Sequence, residues 1–409
     1  MQVLAVIAAL IAAAGVAQAC VGWLAMRRFA AMPLPPAGPR PPITVLKPLC
    51  GDESMLEAAL ASFCAQDYPD LQLVCGVQDP ADPAIAVVRR LQARFPDRDI
   101  ALVIDPTQHG ENRKVGNLIN MLPMARHDVL VIADSDVHAA PDYLALIADT
   151  LALPRTGVVT ALYTGLPANR SLAARLGATA INHLFLPGVL LSRLLGRQDC
   201  LGPTMALRRD TLAAIGGLGA LANHVADDNI LGRLVLARGL LVRLTSAVCA
   251  VTVQETGLRA LLRHELRWMR TIRTLVPAAF AASAIQLPLA WAALAVAFSA
   301  GASWALAGFV LVWAAQAAVV RGVDAQLRLV QSGLVMPVPI WLLPLRDLLG
   351  LAAFAVSYTS DRVEWRGHIL HTRLDKPGIQ APQVPPDGDA DVAAPLRVAA
   401  NATFGESSR

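Results

Sequence analysis

The chain opens on an almost unbroken apolar stretch from Val3 to Met26, long enough to span a bilayer, which Arg27-Arg28 then ends. Ala17-Gln18-Ala19 resembles the cleavage site of a secretory signal. No cation precedes the run and two follow it, so a retained anchor (1–28) with its N-terminus outside is expected. Residues 29–42 read as a Pro-rich linker. From Ile43 to about Val248 short β-rich runs alternate with helical ones. Ile43–Leu46, Leu71–Val77, Ile100–Ile104, Val129–Ala133 and Gly157–Ala161 read as strands, with helices near 54–65, 82–95, 114–125 and 141–152. Strands separated by helices mean βαβ crossovers. The expectation is an α/β domain over 43–256, on a mostly parallel Rossmann-like sheet with ligands at the C-terminal strand ends.

Beyond it, residues 257–276 predict a basic amphipathic helix: Arg259, Arg263, Arg267, Arg270 and Arg273 recur at spacings of three and four and so share one face. Ala278–Val320 is long enough for two spans with a turn near Gly301. Leu334–Tyr358 is apolar again but broken by Pro337, Pro339, Pro344 and the pair Arg346-Asp347, so 277–360 reads as a membrane region of two or three spans. A basic segment over 361–374 follows, and residues 375–409, rich in Pro, Asp and Ala, are expected to be a disordered tail.

Composition narrows the class. The 409 residues are 55% hydrophobic and 16% charged, too apolar for a wholly soluble enzyme. The net charge is +4, but its cationic part clusters in arginines beside apolar runs with little aromatic interleaving. That pattern suits a cytoplasmic membrane face and excludes a nucleic-acid groove. The six cysteines form no C-x-x-C pair and have no histidine at metal spacing, which predicts reduced thiols. No G-x-G-x-x-G occurs, so a dinucleotide site is not expected.

Six islands carry candidate chemistry. Asp134-Ser135-Asp136 ends the apolar run 129–133, where two carboxylates can hold a divalent metal, although Asp-x-Asp also occurs in ordinary turns. Val77-Gln78-Asp79 ends another strand; Asp79 suits a uracil or ribose, or simply starts a loop. The segment Glu111 to Asn117 opens a helix whose N–H groups and Lys114 can meet phosphate, or merely solvent. Ala226-Asp227-Asp228-Asn229 starts another helix, and a cap explains one aspartate but not two; a carboxylate poised as a general base is the sharper reading. His264-Glu265-Leu266-Arg267-Trp268 lies on the basic helix, where an Arg-Trp pair suits a diphosphate leaving group. Gly202-Pro203-Thr204-Met205 is placed in a turn near an acceptor.

The succession of strand-end Asp, Lys helix, Asp-x-Asp, Asp-Asp and x-x-Arg-Trp resembles the GT-A glycosyltransferases of the family 2 superfamily, and more narrowly family 21, the ceramide glucosyltransferase type. Leu46-Lys47-Pro48-Leu49, Gln66-Asp67-Tyr68-Pro69, Asp82-Pro83-Ala84-Ile85, Asn117-Leu118 and Trp365-Arg366-Gly367 extend the likeness over about residues 43–370. The wording of Gln78–Arg90 and His264–Arg273 is most similar to bacterial hopanoid-biosynthesis-associated glycosyltransferases. His264 departs from the wider pattern, which has Gln or Arg there. The resemblance implies a GT-A fold and an inverting transfer of one sugar from a UDP-sugar to a membrane-lipid hydroxyl: N-acetylglucosamine to bacteriohopanetetrol, or alternatively glucose to ceramide. It implies that Asp134 and Asp136 hold Mg²⁺ or Mn²⁺, and that Lys47, Asp79, Lys114, Asn117 and Asp134 hold the nucleotide sugar. Asp228 would be the base, with Arg267 and Trp268 at the leaving diphosphate. Because nucleotide sugars are cytosolic, a multi-pass protein of the bacterial inner membrane with its catalytic domain on the cytoplasmic side is expected. A processive polysaccharide synthase shares the motifs but needs a channel that three or four spans do not build. A non-catalytic lipid-binding protein would have no need of a base at 228.

Overall fold

The computed structural model describes residues 1–330, 337–365 and 368–371. In chain order these form α1 (Gln2–Ala30), β1 (Ile43–Pro48), α2 (Leu56–Cys64), β2 (Leu71–Val77), α3 (Ala84–Arg94), β3 (Asp99–Ile104), α4 (Arg113–Met121), β4 (Val129–Ala133), β5 (Val137–His138) and α5 (Tyr143–Leu151). There follow β6 (Thr156–Pro167), α6 (Leu172–Ala180), α7 (Leu186–Leu194), β7 (Thr204–Arg208), α8 (Arg209–Ala214), α9 (Asp227–Ala237) and β8 (Leu241–Val253). The last elements are α10 (Leu258–Leu275), α11 (Pro277–Ala282), α12 (Pro288–Phe298), α13 (Ser303–Val330), α14 (Leu342–Ser357) and the hairpin β9 (Arg362–Trp365) with β10 (His368–His371). The tail expected over 375–409, and Arg366-Gly367 of the motif near it, lie outside the described residues.

Eight strands make one sheet in the order β3-β2-β1-β4-β7-β6-β8-β5. The β3-β2-β1-β4 half is wholly parallel, and β6 pairs parallel with β8, while β7 and β5 run antiparallel to their neighbours. β1, β2 and β4 are buried nearly throughout, as strands covered on both faces must be. Their alternation shows this directly. Val45, Leu73 and Val131 pack with Phe63, Val88 and Ile147, while Leu46, Val74 and Ile132 pack on the other face with Leu118, Leu212 and Leu231. The fold is thus α/β with a mostly parallel mixed sheet between helical layers. From β1 the crossovers run one way to β2 and β3 and the chain returns to β4 on the other side of β1, so β1 and β4 flank the topological switch point, outside whose carboxyl ends ligands bind in open α/β sheets.

The sequence reading needs three corrections. Thr204 and Met205 belong to β7 rather than to a turn, because the antiparallel ladder to β4 pairs Thr204 with Ala133 and Met205 with Ile132. β8, thirteen residues pairing β6, lies outside the expected strands, although it is rich in Val and Thr. α6 and α7 were likewise not expected; joined by a π-helical turn at Ile181–Phe185, they make a 23-residue apolar helix over Leu172–Leu194.

Among the described residues three helices are long and apolar enough to cross a membrane: Gln2–Ala30, Leu172–Leu194 and Ser303–Leu329. A fourth span results if Pro277–Gln286 and Pro288–Phe298, bent by 69° at their junction, count as one. The turn expected near Gly301 is there, with Ala300 and Gly301 both at positive φ. α1 buries the small residues Ala5, Ala8, Ala12, Gly15 and Gly22. A Cβ on Gly15 would stand 2.3 Å from the Ile285 carbonyl oxygen, so the glycine is what lets the backbones approach.

Candidate active site

Lys47 sits at the end of β1 and is fully buried. Its Nζ donates to the Asp134 carbonyl at 2.7 Å and lies 3.7 Å from the centre of the Phe63 ring. Burial pushes this ammonium down to about 8, against the pull of Asp136 and Asp134. Lys47 therefore fixes the backbone of the Asp-x-Asp turn from below.

The turn begins where β4 runs out. Asp134 N–H donates to the Pro203 carbonyl, and the Asp136 carbonyl accepts from Thr252 N–H of β8, so strands on both sides hold it. Ser135 Oγ donates to Glu53, a carboxylate from the loop after β1 that the sequence reading did not single out. Burial, then the neighbouring Asp134 and Glu53, push the Asp136 carboxyl up to about 7. Among the described residues no group of three or more His, Cys, Asp or Glu is placed to hold a metal by itself.

Lys114 reaches in from the first turn of α4. Asn112 caps that helix, accepting from Val115 N–H at 3.1 Å, and its amide donates to the His224 carbonyl at 2.8 Å. The helix start is thereby bound to the loop that leads into Asp227. Lys114 Nζ lies 2.7 Å from Asp134 Oδ1 and 3.4 Å from Asp227 Oδ2. Burial alone would lower its pKa, but Asp134 and Asp227 outweigh burial and hold it above the ordinary value.

Asp227 and Asp228 occupy the first turn of α9, and Ala226 is the cap residue, so neither aspartate serves as the N-cap. Asp228 Oδ1 accepts from Asn229 N–H at 2.7 Å. Its Oδ2 stands 3.0 Å from where a Cβ would sit on Gly202, so that glycine leaves the carboxylate its space. Burial, then Asp227, push Asp228 up to about 7, while Lys114 pulls the other way.

The remaining sequence candidates are placed differently. Asp79 is exposed just past β2, and its Oδ1 accepts from Ala81 N–H at 2.8 Å. Asn117 is buried under the strand ends, with Nδ2 donating to the Gly76 carbonyl at 2.8 Å, so it braces β2. Arg267 and Trp268 stand half-buried on α10. Trp268 belongs to an aromatic row: Tyr163 to Phe185 at 5.0 Å, Phe185 to Trp268 at 6.3 Å, and Trp268 to His264 at 4.7 Å edge-on. His264 Nδ1 pairs with Glu255 just past β8, and this contact holds the Glu255 carboxyl below its usual range despite burial. Tyr163 of β6, which lies in the field of Asp228, Asp136 and Asp134, was not singled out either. Nothing local marks Glu53 or Tyr163; only the assembly of β1, β4 and β6 into one sheet brings them here.

The parallel half-sheet with carboxylates and lysines at its strand ends, joined to long apolar helices, defines a membrane-associated α/β protein with a polar site in the strand-end crevice. The chain belongs to glycosyl transferase family 21, whose sequence profile matches residues 5–377. It is 25% identical over 205 residues to ceramide glucosyltransferase 1 of Caenorhabditis elegans, covering 49% of this chain and 43% of that one. It is also 25% identical over 249 residues to an N-acetylglucosaminyltransferase of Rhizobium meliloti, covering 57% and 56%. The chain thus spans about half the length of these curated relatives. Among solved structures it is similar to a mannosyltransferase of Pyrobaculum calidifontis in complex with GDP-Man and Mn²⁺, with 19% identity, 86% of this chain and 98% of that one covered, and a TM-score of 0.49.

Proposed function

We propose that the chain is an inverting glycosyltransferase that moves one sugar from a UDP-sugar to the hydroxyl of a membrane lipid. The observation that carries this reading is the cluster in which Lys114 Nζ bridges Asp134 and Asp227, with the half-buried Asp228 next to Asp227 in the first turn of α9 and its carboxyl pushed up to about 7. A general base works best with a pKa near the operating pH, and this one has it. Asp228 takes the proton of the lipid hydroxyl; that oxygen bonds to the anomeric carbon from the face opposite the nucleotide; the bond to UDP breaks, and its electron pair leaves with the diphosphate.

Asp134 and Asp136 fit a divalent metal such as Mg²⁺ or Mn²⁺. They lie two positions apart on one turn, and the Asp136 carboxyl is pushed up by burial and then by repulsion from Asp134 and Glu53, which a cation would relieve. Two carboxylates leave the remaining ligand positions to diphosphate and water. When bound, the metal supplies neutralisation of charge on the departing diphosphate. Lys114 stands where it can exchange its Asp134 partner for phosphate oxygens. Lys47 and Asn117 hold the strand ends in place, Asp79 is exposed beside the crevice for the nucleoside, and Arg267 and Trp268 face the leaving group from α10.

The apolar helices support a lipid acceptor, and the sequence likeness favours N-acetylglucosamine and bacteriohopanetetrol. Glucose and ceramide are the second reading, favoured by the name of the C. elegans relative. On this reading the donor is cytosolic, so the sheet domain belongs on the cytoplasmic side of a bacterial inner membrane. The test crosses UDP-glucose and UDP-N-acetylglucosamine against ceramide and bacteriohopanetetrol, with products identified by mass. A glycolipid whose new bond has the anomeric configuration opposite to the donor's is expected; retention of configuration refutes the assigned chemistry.

A further inference from the structure

A cavity of about 40 Å³ lies where the helix through α6 and α7 crosses α12, α13 and α14. Half of its wall is aliphatic, from leucines and from valines of α13; the other half is Thr179, His183, Gln286, Gln316, Arg346 and Asp347. Such polar groups are costly among apolar helices, and where they line an internal space they mark a place for a polar ligand. Arg346 carries the sharpest sign. It is 4% exposed, and its two Nη groups donate to Glu265 at 2.8 and 3.0 Å, yet its Nε–H has no hydrogen-bond partner among the described residues. A buried unspent donor costs roughly 1–3 kcal/mol, so an acceptor oxygen in this space is favoured.

The cavity is also wired to the strand-end site. His183 belongs to the π turn Ile181–Phe185, and Phe185 of the same turn stacks between Tyr163 and Trp268. Asn182 accepts from Gly165 N–H of β6 at 2.7 Å, which ties that turn to the sheet. Glu265, which holds Arg346, is two residues before Arg267. The volume admits a few water-sized groups, too little for a sugar ring or a nucleotide. We infer that this cavity is a subsite for the hydroxyl-bearing segment of the acceptor lipid, with the aliphatic wall against its hydrocarbon and Gln316, Gln286 and Arg346 on its oxygens. The inference rests on the reading of the chain as a lipid glycosyltransferase.

The experiment compares the full-length protein with its Gln316→Leu and Gln286→Leu variants in detergent, using each UDP-sugar with ceramide and with bacteriohopanetetrol. Both replacements are apolar, so they do not oppose insertion of the helices. The subsite requires the KM for the lipid to rise roughly tenfold, the loss of about one hydrogen bond, with the KM for the UDP-sugar unchanged. An unchanged lipid KM in both variants, or equal rises for lipid and donor, shows that the cavity holds only water and overturns the subsite. If the wild-type protein releases UDP yet glycosylates no lipid, the lipid reading itself falls, and the subsite with it.

Discussion

Lys114 Nζ joins Asp134 of the β4 turn to Asp227 of α9, at 2.7 and 3.4 Å, so one ammonium balances the two acidic ends of the site. Lys114 also lowers the Asp228 pKa. Replacing it with Met removes that pull, and the acidic limb of the pH–rate profile should move up by roughly one unit. A limb that stays in place shows that the lysine does not govern the base.

In the wild type the same profile should rise with pH through about 7, where Asp228 loses its proton and becomes able to accept one. Steady-state rates measured between pH 5.5 and pH 9 check this. Activity that peaks well below this range argues for another base.

Asp228→Asn should lower transfer by on the order of 10²–10⁴-fold while UDP binding stays near normal. Stability should move the other way. The folded protein keeps the Asp228 proton to about 7, whereas an unfolded aspartate releases it near 4. The wild type therefore loses stability through this group as pH rises between those values, and the asparagine variant lacks that share of the loss. Melting curves at pH 8 should favour the variant, and those near pH 4 should coincide.

Lys47→Met tests the support beneath Asp-x-Asp. An apolar chain of similar length fills the same buried space, so thermal stability should change little. The hydrogen bond to the Asp134 carbonyl is lost, and activity should fall roughly tenfold through a misplaced carboxylate. Isothermal titration with UDP and metal separates the placement effect from unfolding.

Gly15→Leu should destabilise the helical bundle by about 1–3 kcal/mol, because its side chain meets the Ile285 carbonyl backbone. Gly219→Ala, at a site where a Cβ meets nothing, is the control. Thermal melting in detergent reads the difference.

The sequence by itself determined the long apolar N-terminal helix, the alternation of strands and helices, the basic helix, and which carboxylates and lysines stand at strand and helix ends. Each of these is written locally, in runs, periods and turn residues, so β1, β2 and β4 begin where their hydrophobic runs begin. Only the tertiary structure decided the order of the sheet, the antiparallel insertion of β7 between β4 and β6, and the long helix across Leu172–Leu194. Strand pairing is a contact between distant segments, and neither partner's composition names the other. The same holds for the site. Asp79 and Asn117 stand in equally suggestive local patterns, but folding leaves one exposed and spends the other on the Gly76 carbonyl. Glu53 and Tyr163, unremarkable in the sequence, are brought among the aspartates. The near-neutral carboxyls of Asp136 and Asp228 are likewise products of the fold, because burial and like charge act only once the chain has closed around them.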